Sequence, residues 1–67
     1  MNILFKEYDV VYSNEKINEK VPYNTKGVVV MILDTKIPVF EIEFVDADNQ
    51  TLDITEVRGS QLQSRDI

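Results

Sequence analysis

Between Val39 and Val45 the chain alternates without a break: Phe40, Ile42 and Phe44 fall on one side, Glu41 and Glu43 on the other. A period of two belongs to a strand, because successive side chains on an extended backbone point to opposite faces. Such a strand is half-buried, with one face on a core and the other in water. The pattern resumes shortly afterwards, with Leu52 and Ile54 on one face and Thr51, Asp53 and Thr55 on the other. Between the two runs lies Asp46-Ala47-Asp48-Asn49-Gln50. A three-residue hairpin loop needs a type I turn followed by a residue in the left-handed region. Asparagine tolerates that region better than any residue but glycine, so Asn49 is expected at positive φ. The register that follows sets Val45 against Thr51, Phe44 against Leu52 and Glu43 against Asp53. Ile42 then meets Ile54 and Glu41 meets Thr55, so that every inward apolar residue meets another.

The rest of the chain supplies further strands. Residues 27–33 are apolar on both faces, which suits a central or covered strand. Asp34-Thr35-Lys36 turns it toward Ile37-Pro38, and Pro38, which cannot donate to a ladder, belongs at a strand start or an edge. Residues 7–12 make another short strand, with either Tyr8, Val10 and Tyr12 or Val11 facing inward. Residues 13–26 form a long polar connection pinned by Ile17 and Val21, with a single helical turn as the alternative. Residues 57–63 read as a turn and a last short strand, and 65–67 as a frayed tail. The expectation is one all-β domain over 1–67, with its core in 4–64. Its architecture is a small SH3-like barrel of about five short antiparallel strands, with a long loop after the first.

Composition narrows the chemistry. A chain of 67 residues buries only about 60% of its unfolded surface, so its core is thin. Cysteine and histidine are absent, which removes disulfides and the usual zinc, iron–sulfur and haem ligands; no metal or cofactor is expected. No apolar run approaches the ~20 residues of a membrane-spanning helix. The opening Met1-Asn2-Ile3-Leu4-Phe5-Lys6 is too short and too soon charged for a signal peptide, so a cytoplasmic location is expected. Twelve acids against seven bases give a net charge of −5. That balance suits a basic partner or plain solubility, and suits phosphate neutralisation on nucleic acid poorly.

The run Tyr8-Asp9-Val10-Val11, then Lys26-Gly27-Val28-Val29-Val30, then Glu41-Ile42-Glu43-Phe44-Val45-Asp46, then Leu62, follows the order of SH3-like barrels of the KOW type. More narrowly, residues 4–64 resemble a small bacterial family known as domain of unknown function 4926. Asn24 and Asn49 stand where that family would be expected to carry glycine, and both tolerate positive φ. The resemblance implies no catalytic residues. Relatives of this kind are often encoded beside toxins, which implies an immunity or neutralising role.

Candidate site residues follow from the expected hairpin. Glu43 opposite Asp53, with Glu41 alongside and Thr51 and Thr55 at the flanks, would crowd carboxylates on the outer face. Like charges directly across a ladder destabilise it, and a basic partner surface would relieve them. Asp46-x-Asp48-Asn49 is a poor calcium loop, because Thr51 and Val57 stand where an EF-hand needs glycine and glutamate. Tyr8, Tyr12 and Tyr23 are expected to be core residues or to pin the long loop to the first strand, rather than to form a peptide groove. Arg58 is expected to pair with Glu56. With no histidine or cysteine, and no partner to activate Ser13, Ser60 or Ser64, an enzyme is not expected.

Three roles remain open. The first is a protein-binding module, of immunity or antitoxin type, that presents Glu41, Glu43, Asp53, Thr51 and Thr55 to a basic partner such as a toxin. The second is a KOW-like nucleic-acid or ribosome-associated module, which needs Lys6, Lys16, Lys20, Lys26 and Arg58 on one face. The third is a structural homo-oligomer that buries the two-sided apolar segment 28–33 against a copy.

Overall fold

The structure is a computed structural model and describes residues 4–64; the tail expected at 65–67 lies outside the described residues. Among the described residues there are five strands: β1 (Val10–Ser13), β2 (Lys26–Asp34), β3 (Val39–Val45), β4 (Thr51–Arg58) and β5 (Leu62–Gln63). A single 3-10 turn, Gly59–Gln61, joins β4 to β5. All ladders are antiparallel and the sheet order is β4-β3-β2-β1-β5. The sheet curls into a half-barrel, consistent with a small SH3-like barrel. The apolar strand β2 is central, as its two-sided composition requires.

The concave face holds the core. Val11, Val29, Phe40, Ile42 and Phe44 are fully buried, and Val57 and Leu62 nearly so. The long loop closes one end of it. Val21 is fully buried and Ile17 packs against the cluster. These two pins are held by a tight turn, not a helical one: Ile17 N–H donates to Val21 O at 2.9 Å and Val21 N–H to Asn18 O at 3.1 Å. The base of the loop is fastened by Ser13, which is fully buried. Its hydroxyl donates to Pro22 O and accepts from Thr25 N–H, each at 2.9 Å.

β1 is shorter than residues 7–12 suggest. Tyr8 has φ 72°, and Asp9 draws the backbone into a turn by accepting the Lys6 N–H on its carboxylate at 2.8 Å. The strand therefore begins at Val10, with Val11 and Ser13 inward and Val10 and Tyr12 outward. Pro38 sits immediately before β3 and offers its carbonyl to Gly59 N–H at 3.0 Å.

The β3–β4 hairpin departs from the expected register. Its bend is as read: Asn49 has φ 62°, Asn49 N–H donates to Asp46 O, and Val45 faces Thr51. A bulge then intervenes, so that Phe44 faces Asp53, Glu43 faces Ile54, Ile42 faces Thr55 and Glu41 faces Glu56. Leu52 is the extra residue. The shift sets Val57 against Phe40, two buried side chains that the simple register would have turned to opposite faces.

Candidate partner-binding face

The bulge redistributes the residues expected to form an acidic patch. Asp53 and Thr55, opposite Phe44 and Ile42, lie on the concave side. There Asp53 accepts the Asn18 side-chain amide at 2.8 Å, which ties the long loop to β4. The expected opposition of Glu43 and Asp53 is therefore absent. Glu41, Glu43 and Thr51 remain on the convex face, where the Thr51 hydroxyl donates to Glu43 Oε2.

The same shift brings a different pair together. Glu41 and Glu56 are directly opposed across β3 and β4. Glu56 is exposed and Glu41 half-buried. The three glutamates are interleaved with apolar side chains from three strands, β1, β2 and β4. Register places Val10 beside Val28, Val28 beside Glu43, and Glu43 beside Ile54, with Met31 beside Glu41 in the next row. Val10, Met31 and Ile54 are 44%, 48% and 53% exposed. A convex face with apolar rows between carboxylates is an amphipathic surface that no element of the described chain covers. An alternation count centred on Leu52 and Ile54 could not find Glu56. The clue is Val57, an apolar residue out of phase with both.

A groove opens beside this face, with a volume of about 430 Å³. It is lined by Tyr12, Pro22 and Tyr23 from β1 and the long loop and by Val45, Ala47, Asn49 and Leu52 from the β3–β4 hairpin. Tyr23 is 65% exposed, so it is not a core residue, and Tyr8, at 73% exposed, stands apart from both.

The basic residues are spread over several elements, with Lys16 and Lys20 in the long loop, Lys26 on β2 and Arg58 on β4. Lys16 pairs with Glu19 at 3.0 Å within the long loop. Lys26 opens β2 next to the Phe44 end of β3, whereas Arg58 faces Val39 at the other end. At about 3.3 Å per residue those positions are some 20 Å apart. Arg58 makes no ion pair with Glu56 among the described residues. No group of three metal-binding side chains occurs among the described residues. No helix there is long and apolar enough to cross a membrane.

Comparison with known families matches residues 7–64 to the family described as Domain of unknown function (DUF4926). No curated protein and no solved structure matches this chain.

Proposed function

We propose that this chain, which belongs to the DUF4926 family, is a non-enzymatic protein-binding module that uses the convex face of β2, β3 and β4 against a basic partner. The observation that carries this reading is the Glu41–Glu56 opposition flanked by exposed Met31 and Ile54. Two carboxylates facing each other across a ladder repel. A lysine or arginine from a partner removes that repulsion on docking, so part of the affinity is prepared in the free protein. The apolar rows supply area to bury, and the glutamates supply orientation and a fast approach. In a cytoplasmic setting the partner class that fits is a basic toxin-type protein, with this chain as its immunity or antitoxin-type inhibitor.

The test is a calorimetric titration of the intact chain against the purified product of the neighbouring gene. Affinity should fall between about 50 mM and about 300 mM salt as the charges are screened. Glu41→Lys, Glu43→Lys and Glu56→Lys together should cost about a hundredfold or more. Undiminished binding by that triple variant overturns the assignment of the face.

A further inference from the structure

β2 outruns its neighbour β1, while on its other side β3 stays paired with β4 as far as Val39 and Arg58. On the β1 side, the pairing of β2 ends at Val29, whose N–H and C=O meet Asp9 O and Tyr8 N–H. Beyond it Met31, Ile32 and Leu33 are 48%, 37% and 40% exposed, and Ile37, past the turn, is 64% exposed. On this stretch of β2, side chains of both parities meet water, although Phe40 opposite Ile32 stays buried. The ladder to β3 is interrupted between Val29 and Met31 and again between Ile32 and Asp34. Such irregularities bend an edge away from strand addition, so side-chain packing is the route left for covering this tip.

The tip is complementary to itself. Ile32 and Leu33, with Asp34, Thr35 and Lys36, line a concavity of about 380 Å³, and the next residue, Ile37, projects beside it. One carboxylate oxygen of Asp34 accepts the N–H groups of Lys36 and Ile37 at 2.7 and 3.2 Å. Its second oxygen has no hydrogen bond, and Lys36 no ion pair, among the described residues. A two-fold axis pairs each residue i on one copy with j on the other, and j with i. Such an axis would bring Asp34 of each copy to Lys36 of the other and each Ile37 to the other's concavity. The tip is electrically neutral, whereas the convex face carries three carboxylates in a chain of net charge −5. A copy is therefore repelled least here.

We infer that the hairpin tip is the contact of a symmetric dimer of this chain, with Ile37 of each copy seated against Ile32 and Leu33 of the other and reciprocal Asp34–Lys36 pairs at the rim. The contact uses none of Glu41, Glu43 and Glu56, and Met31, which faces Glu41, lies at the border between the two surfaces.

Sedimentation velocity on the full chain alone tests this, from about 10 µM to about 1 mM, with no partner present. A concentration-dependent monomer–dimer equilibrium is expected. Ile37→Glu should raise its dissociation constant about tenfold or more. Lys36→Glu, which sets an acid against Asp34 of the other copy, should raise it about threefold at low salt and less at high salt. Retained amide dispersion in nitrogen–proton spectra shows that each variant is folded. A monomer throughout the range overturns the inference, as does a dimer that neither substitution weakens. Either result leaves the partner reading of the convex face standing.

Discussion

Gly27 has no side chain because two neighbours occupy the space. A Cβ there would lie 2.5 Å from Ile42 Cγ2 and 3.0 Å from Phe44 Cδ1, both in the fully buried core. The concave face is pulled this tight where β1, β2 and β3 lie side by side, with Val11 opposite Gly27 and Gly27 opposite Phe44. Gly27→Ala should therefore lower unfolding free energy by about 1–3 kcal/mol through overpacking, read from the urea midpoint. Ser13 is the polar counterpart. Removing its hydroxyl takes the acceptor from the Thr25 N–H in a site that is 8% exposed or less. Ser13→Ala should cost about 1–3 kcal/mol, with faster hydrogen exchange at the Thr25 amide as its local mark. The left-handed positions were unevenly legible in the sequence. Asn49 and Asn24, at φ 62° and 65°, carry the short polar side chain that tolerates this region. Tyr8, at φ 72°, does not. Its alternation with Val10 and Tyr12 imitates a strand, and only the neighbouring Asp9 carboxylate marks the turn.

At the scale of elements, the β3–β4 hairpin separates what alternation can decide from what it cannot. β3 has one phase, and its inward set of Phe40, Ile42 and Phe44 is buried as its pattern demands. β4 has two: Leu52 and Ile54 share a parity, and Val57 breaks it. All three cannot face one side of a regular strand, so either a bulge or an exposed apolar residue must follow. The fold takes both, burying Val57 against Phe40 and leaving Ile54 53% exposed. Local pattern cannot rank these outcomes, because packing at the far end of the strand decides them. The two edges of the sheet are blunted by the same economy of means. β5 is two residues long, while β4 carries the bulge at Leu52 and the inward Asp53, devices that discourage edge-to-edge pairing. The Glu41–Glu56 opposition is the remaining cost of the register. Glu56→Lys converts it into an opposite-charge pair and should stabilise the isolated chain by several tenths of a kcal/mol, seen as a higher melting temperature at low salt. A loss of stability would mean that the two carboxylates already splay free of one another.

The whole molecule stands on a small cluster, since no disulfide supplements it. Phe40 is central to that cluster. It is fully buried, opposed to Ile32 on β2 and Val57 on β4, and met edge-on by Phe5, whose ring centroid lies 5.7 Å away at 67°. It therefore joins β2, β3 and β4 to the segment that precedes β1. A domain of this length has roughly 3–10 kcal/mol of stability in total, at the usual 0.05–0.15 kcal/mol per residue. Truncating a buried phenylalanine to alanine removes about 3–5 kcal/mol, because the cavity collapses only in part. The two magnitudes overlap, so Phe40→Ala should leave the chain largely unfolded at 25 °C, with collapsed amide dispersion and no cooperative urea transition. Ile54→Ala removes a comparable apolar side chain from the same sheet, but from its wet face, and should shift stability by no more than about 0.5 kcal/mol. The contrast isolates burial from hydrophobicity. If both variants unfolded, the convex face would be holding the fold together, and it would not be free to receive a partner.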